Sequence, residues 1–151
     1  MIDELRELYQ EVILDHNKNP KNYFHMENPT HSAEGHNPLC GDQVEVFLNV
    51  EGDVITNISF QGHGCAISKA ASSVMTTVLK GKTIAEAKEW FNRYQHLVTS
   101  DMGEVVDFDA FGQLAVFAGV REFPMRVKCA SLSWHTMLQA LENKNEVAST
   151  E

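Results

Sequence analysis

Cysteine is scarce in this sequence, which has three among its 151 residues, Cys40, Cys65 and Cys129. Three thiols cannot all pair with one another, so the sequence does not predict a fold held together by disulfides. The thiols are instead predicted to be free, metal-bound or reactive. A chain of this length buries enough apolar surface to fold without such staples, so folding alone does not require a metal.

Positive charge and long apolar runs are also lacking. Twelve Lys and Arg residues against 21 Asp and Glu residues give a formal net charge of -9, which repels phosphate backbones and anionic lipid surfaces. No apolar run approaches the roughly 20 residues that a membrane-spanning helix needs. Residues 1–16 are acidic and periodic, unlike a signal peptide. The protein is therefore expected to be cytoplasmic, with neither a nucleic-acid nor a membrane partner.

The apolar pattern predicts a single domain over residues 1–151 without internal repeats. Apolar residues recur at helical spacing near the N-terminus, so residues 1–15 are predicted to form a helix. Residues 16–39 are rich in Asn, Pro and His and have no period, which predicts an irregular arm. Residues 145–151 are predicted to be a frayed tail.

A β-hairpin is predicted in the middle of the chain, because apolar residues alternate from Val44 to Val50 and again over residues 55–60. The glycine-rich residues 61–65 are expected to interrupt its second strand. Helices are predicted to begin at or just after Cys65, to span Ile84 to about Leu97 after a Thr83 cap, to span residues 110–118 before Gly119, and to begin at Cys129. This order predicts an α+β fold, with helices packed on one face of a small antiparallel sheet.

The three cysteines fall at the ends of predicted elements. Cys65 and Cys129 lie at predicted helix N-termini, where free backbone N–H groups and the helix dipole stabilise a thiolate. Cys40 lies at a strand entrance, close to Asp42. A buried structural thiol would more often occupy an apolar position within a periodic face. The placement therefore favours a metal site or a reactive-thiol site.

If the cysteines converge, three thiolates and one oxygen of Asp42 would complete a tetrahedral site suited to zinc. The same thiolates could hold the iron of an iron-sulfur cluster, and spacing alone does not choose between these metals. The cysteines are too far apart in sequence for a local zinc ribbon. A carboxylate oxygen is a more exchangeable partner than a fourth sulfur, which favours a site that opens.

Four short motifs together resemble those of the U-type iron-sulfur cluster assembly proteins, the IscU/NifU N-terminal family. They are DHxxNPxN at residues 15–22, CGD at 40–42, GxGC at 62–65 and KC at 128–129. The resemblance covers nearly the whole chain and is closest to the SufU branch. Lys128 stands where IscU-type scaffolds carry a histidine, and residues 97–111 resemble the extra segment of SufU-type proteins.

The resemblance implies an IscU/SufU-like fold and a zinc-dependent sulfurtransferase. It implies that Cys40, Asp42, Cys65 and Cys129 bind zinc, and that a SufS-type cysteine desulfurase is the partner that donates persulfide sulfur. Cys40 is the expected acceptor, because a loop at a strand entrance can swing out. A downstream iron-sulfur scaffold complex would receive the sulfur.

Two alternatives remain at this point. The protein could be a scaffold on which a labile iron-sulfur cluster is assembled, or a binding domain whose zinc is structural. Lys128 and the extra segment favour the sulfurtransferase over the scaffold, and the length of the chain disfavours a purely structural zinc.

Three further polar residues lie near the motifs. His36 and His63 could be metal ligands, although a histidine in a glycine-rich turn is more often solvated or hydrogen-bonded. Arg126 could steady the thiolates from outside the ligand set, or simply balance an acidic surface. The sequence leaves the roles of all three open.

Overall fold

A small sheet with helices on one side makes up this protein, in the α+β arrangement that the sequence predicts. The computed structural model describes residues 2–101, 103–104, 107–142 and 148–149. The elements in chain order are α1 (Ile2–Lys18), β1 (His31–Asn37), β2 (Asp42–Glu51), β3 (Val54–His63), α2 (Ala66–Leu79), α3 (Ile84–Thr99), α4 (Phe108–Phe111), a 3-10 helix (Gly112–Glu122), α5 (Pro124–Leu141) and β4 (Ala148–Ser149).

The sheet has the strand order β3-β2-β1-β4. Strands β2 and β3 form the predicted antiparallel hairpin, and Gly52 takes a positive φ of 64° in its turn. Strand β3 continues to His63, so the glycine-rich residues do not interrupt it where the sequence predicts. Gly62 makes this possible, because a Cβ at this position would collide with the backbone oxygen of Gln43 on the neighbouring strand.

The core lies between the sheet and the helices. The inner face of β2 contributes Val44, Val46 and Leu48, all at most 5% exposed. Helix α5 packs on β1 and β2, while α2 packs on β3 and α5. Trp134 of α5 stacks on Tyr94 of α3 in the wholly buried centre, with ring centroids 4.6 Å apart. The predicted packing of helices on one face is confirmed. Across the described part of the chain, no helix is both long and apolar enough to cross a membrane.

Strand β1 corrects the prediction of an irregular arm over residues 16–39. It pairs with β2 from His31 opposite Leu48 to Asn37 opposite Asp42. Its sequence lacks the β-branched and aromatic residues typical of strands, so the pairing with β2 and the burial of Gly35 and Asn37 decide its conformation.

Both ends of the domain also differ from their predictions. Helix α1 continues to Lys18, three residues past its predicted end. Within the predicted frayed tail, Ala148–Ser149 form β4 and pair in parallel with Gly35 and His36 of β1. The rest of residues 145–151 lie outside the described residues.

The start of the last helix was predicted wrongly. Helix α5 begins at Pro124, because proline at the first helical position loses no hydrogen bond and its fixed φ suits the helix. Cys129 therefore lies in the second turn of α5 and is 3% exposed. The free N–H groups of a helix lie in its first turn, so they do not stabilise a thiolate at Cys129 as predicted. The segment before it is a 3-10 helix that runs through Gly119 to Glu122, beyond the predicted end.

Gly35 provides a test of the packing between β1 and α5. An added Cβ would collide with Thr136 Oγ1 and lie 3.1 Å from Leu132 Cδ1. We expect Gly35→Ala to lower the free energy of unfolding by about 1–3 kcal/mol through overpacking, measured by urea denaturation. Adding Thr136→Ala should recover part of the loss.

Gly119→Ala is the matched control for this prediction, because a Cβ at Gly119 would meet no atom within 4 Å. Its stability should change little. Equal stability of the Gly35→Ala and Gly119→Ala proteins would contradict the close packing of β1 under α5.

Candidate metal centre

Three of the sequence-predicted site residues meet at one end of the sheet. Ligand atoms of Cys40, Asp42 and Cys129 all lie within 4.8 Å of one another. The sulfur atoms of Cys40 and Cys129 are 3.2 Å apart. Cys65, at the start of α2, contacts Asp42. The site is therefore built from three segments that are distant in the sequence.

The turn between β1 and β2 positions Cys40 and Asp42. The pairing of Asn37 with Asp42 closes the hairpin, and Gly41 takes a φ of +72° within the turn, a conformation that suits glycine. Alternation along β2 places Asp42 on the same face as Val44, towards the helices. Asp42 is consequently wholly buried, whereas Cys40 is partly exposed.

Cys65 is the N-cap of α2. The prediction that this helix begins at or just after Cys65 is confirmed. Its sulfur accepts a hydrogen bond from the Ser68 N–H at 3.4 Å. Its own backbone N–H donates to Asp42 Oδ1 at 2.8 Å, and its sulfur lies 3.9 Å from Asp42 Oδ2. Gly64 allows this approach, because a Cβ there would collide with the carboxyl group of Asp42. Asp42 thus links Cys65 to Cys40 and Cys129.

The environment of this cluster disfavours ionised thiols in the absence of a cation. The pKa of the Cys129 thiol is raised well above its usual range, chiefly by burial and to a smaller extent by hydrogen bonding with Cys40 and Asp42. Within the described residues, Asp42 forms no ion pair with a basic side chain. A metal ion would reverse this situation, because it stabilises the thiolate and carboxylate forms of its ligands. Three sulfurs and one carboxylate fit zinc, and the sulfurs also fit iron.

The two histidines left open by the sequence lie elsewhere. His36 and His63 flank Gln43 in one row across the sheet, on the face opposite to Asp42. All three line a shallow cavity of about 400 Å³ on that open face. Arg126 is exposed, and its guanidinium lies 4.6 Å from the ring centroid of Phe123. The cluster of Cys40, Asp42 and Cys129 includes none of the three.

The DHxxNPxN motif has a structural role in this arrangement. The buried ring of His16 bridges Ser73 Oγ at 2.7 Å and Gln113 Oε1 at 2.9 Å. Asn22 Nδ2 donates to Thr76 Oγ1 at 2.9 Å. These contacts hold α1 and the following arm on α2, the helix that Cys65 caps.

One residue of the site was missed by sequence reasoning. Asn37 is wholly buried at the end of β1, and its Nδ2 donates to the sulfur of Cys129 at 3.8 Å. The available signal was its position in NPLCGD, three residues before Cys40.

Comparison with known proteins agrees with the four motifs. Residues 8–130 match the NifU-like N-terminal domain family. The zinc-dependent sulfurtransferase SufU of Bacillus subtilis (strain 168) is 37% identical over 133 residues, which cover 86% of each protein. The iron-sulfur cluster assembly scaffold protein IscU of Streptococcus pyogenes serotype M1 is 31% identical over 141 residues, which cover 93% of this chain and 87% of that protein.

A solved structure also resembles this fold. The protein FiSufU of Fervidobacterium islandicum AW-1, described as an iron-sulfur cluster assembly scaffold protein for the SUF system, superposes with a TM-score of 0.79 at 38% identity. The match covers 87% of this chain and 94% of that one. From the agreement of motifs, sequence and fold, this chain belongs to the NifU-like N-terminal domain family, that is, the IscU/NifU family.

Proposed function

We propose that this protein is a zinc-dependent sulfurtransferase that accepts persulfide sulfur from a SufS-type cysteine desulfurase. The observation that carries this proposal is the unequal burial of one cluster: Cys40 is partly exposed, while Asp42 and Cys129 beside it are buried. An exposed thiol backed by buried donors suits a reaction with a partner protein. The similarity to a protein named as a zinc-dependent sulfurtransferase supports the same function.

The residues that would hold zinc are Cys40, Asp42, Cys65 and Cys129. When bound, zinc keeps the coordinating thiols ionised near neutral pH. Asp42 would contribute one oxygen while its Oδ1 accepts the backbone N–H of Cys65. This hydrogen bond orients the carboxylate, as is usual for ligands of a metal.

Cys40 would act as the sulfur acceptor. Its thiolate attacks the outer sulfur of the desulfurase persulfide, a new S–S bond forms on Cys40, and the S–S bond to the desulfurase cysteine breaks. The desulfurase leaves as a thiolate, so the step is thiol exchange without net oxidation. Cys65 caps α2 and Cys129 lies in the second turn of α5, so both are attached to regular structure. Cys40 lies in a turn, where movement costs least.

The surroundings of Cys40 suit docking of a partner. Leu39 is 54% exposed beside Cys40, and Met125, one helical turn before Cys129, is 55% exposed. Exposed apolar side chains next to a reactive group are typical of interaction surfaces. The desulfurase would dock here first, and a downstream iron-sulfur scaffold complex would then take the sulfur.

Metal analysis combined with a desulfurase assay tests this function. Protein purified without a tag or added metal should be colourless and contain one zinc per chain. It should also accelerate alanine release from cysteine by a SufS-type desulfurase in the presence of reductant. Brown protein that contains iron and sulfide, without stimulation, would favour the cluster scaffold. Unfolding on zinc removal, without stimulation, would favour a structural zinc.

A further inference from the structure

The side-chain amide of Asn37 connects two parts of the candidate metal centre, the turn that carries Cys40 and the helix that carries Cys129. Asn37 is the last residue of β1 and is wholly buried. Its Oδ1 accepts a hydrogen bond from the backbone N–H of Leu39 at 3.3 Å. Its Nδ2 donates to the sulfur of Cys129 at 3.8 Å. One side chain therefore contacts both the turn that carries Cys40 and the helix that carries Cys129.

The direction of these hydrogen bonds follows from chemistry. A backbone N–H can only donate, so the group of Asn37 that faces Leu39 must be the carbonyl oxygen. The NH2 group of the same amide then faces Cys129. A buried NH2 group needs an acceptor, and a sulfur with thiolate character accepts more strongly than a neutral thiol.

We infer that Asn37 is a positioning residue whose N–H group holds Cys129 as a fixed sulfur ligand while its carbonyl holds the turn that releases Cys40. A hydrogen bond withdraws electron density from a thiolate and lowers its nucleophilicity. Cys129 is 3% exposed and hydrogen-bonded, whereas Cys40 is partly exposed and has no such amide donor in the described structure. Asn37 thereby makes the two neighbouring sulfurs chemically unequal, so that Cys40 reacts and Cys129 remains bound.

Two substitutions separate the two contacts of Asn37. Asn37→Asp keeps the oxygen that accepts the Leu39 N–H but removes the N–H donor to sulfur, whereas Asn37→Ala removes both contacts. Asn57→Asp is the matched control, because Asn57 Oδ1 likewise accepts a backbone N–H, that of Ile58 at 3.0 Å, on strand β3 away from the cysteines. Circular dichroism and thermal unfolding of each variant report on the fold.

The probe is cobalt(II) added to the metal-free full-length protein, read by the sulfur-to-cobalt charge-transfer absorption. A thiolate sulfur that loses a hydrogen bond becomes a better electron donor to the metal. The charge-transfer band should therefore move to longer wavelength in both Asn37 variants and stay in place in Asn57→Asp. In the cobalt-loaded proteins, iodoacetamide should also modify Cys129 several-fold faster, relative to Cys40, in both Asn37 variants than in wild type, because a metal-bound thiolate without the N–H donor is more nucleophilic. A shift in Asn37→Ala alone would overturn the role of the N–H donor, as would no shift in either.

The inference rests on the proposed metal-dependent function, but the two failures differ. A wild-type protein without a thiolate-to-cobalt band would contradict the metal centre, and the Asn37 inference would fail with it. A wild-type band that stays in place in both Asn37 variants would overturn the Asn37 inference alone and leave the metal centre standing. A folded Asn37 variant that takes up no cobalt, beside an Asn57→Asp protein that does, would support the inference, because Cys129 would then no longer be held as a ligand.

Discussion

Replacing Cys40 with alanine is expected to abolish sulfur acceptance while the fold remains. Cys40 lies partly exposed in the turn between β1 and β2, outside the apolar core, so its loss removes little buried surface. The buried Cys129, 3.2 Å away, cannot replace it at the surface. Alanine release by the desulfurase should therefore fall to its rate without this protein. The measurement is the rate of alanine formation from cysteine under reductant.

Two further observations make this prediction specific to Cys40. Cys40→Ser preserves size and polarity but lacks a nucleophilic thiol, so it should fail in the same way. After a single turnover of wild type without reductant, mass spectrometry should find one added sulfur on the peptide that contains Cys40. Persulfide on Cys65 or Cys129, or full stimulation by Cys40→Ala, would contradict the assignment of the acceptor.

The second large effect is expected for Asp42→Ala. The carboxyl group is wholly buried among the cysteines and accepts the backbone N–H of Cys65 at 2.8 Å. Its removal deletes one proposed ligand and leaves that N–H without its acceptor. Loss of a group that merely supports a ligand costs about 10- to 100-fold in metal affinity, so loss of the ligand should cost at least as much. Zinc affinity and desulfurase stimulation should fall together, and the protein should stay colourless, as competition with a chelating dye and visible absorption will show.

The same variant distinguishes the sulfurtransferase from a cluster scaffold, because the expected results have opposite signs. In a scaffold the carboxylate makes the cluster labile, so Asp42→Ala should hold a more persistent brown cluster after reconstitution with iron and sulfide. A stable cluster in Asp42→Ala, together with no stimulation by wild type, would favour the scaffold.

Gly64→Ala provides an independent route to the same site. An added Cβ would displace the carboxyl group of Asp42 without removing it, so the variant should lose zinc affinity in the same direction as Asp42→Ala. The exposed Gly103→Ala is the control, because its Cβ would meet no atom within 4 Å.

Much of the local structure could be predicted from the sequence, because helix caps and periodic patterns act over a few residues. Thr83 caps α3 and forms a reciprocal pair of hydrogen bonds with Glu86, as its position before an apolar-periodic segment predicts. Cys65 caps α2 for the same reason. The alternation from Val44 to Val50 placed the hairpin correctly, since the period of two requires one buried face.

Strand β1 could not be predicted in this way. Its seven residues have little strand propensity of their own and form a strand because β2 pairs with them and α5 covers Gly35 and Asn37. The position of Cys129 depends equally on packing, because the helix that carries Cys129 into the core begins at Pro124, five residues before its predicted start.

For the candidate site, the sequence indicated which residues take part and the tertiary structure determined how they are arranged. Residue types and motifs alone identified Cys40, Asp42, Cys65 and Cys129 as candidates for one site, because three thiols at or near the ends of predicted elements, with a carboxyl group close to one of them, form a donor set that suits a metal. Only the tertiary structure decided that Cys40, Asp42 and Cys129 lie within ligand distance, that Cys65 joins them through Asp42, and that Asn37 donates to Cys129. Distances and hydrogen bonds between remote segments depend on how a sheet and several helices pack, and no short pattern in the chain encodes that packing.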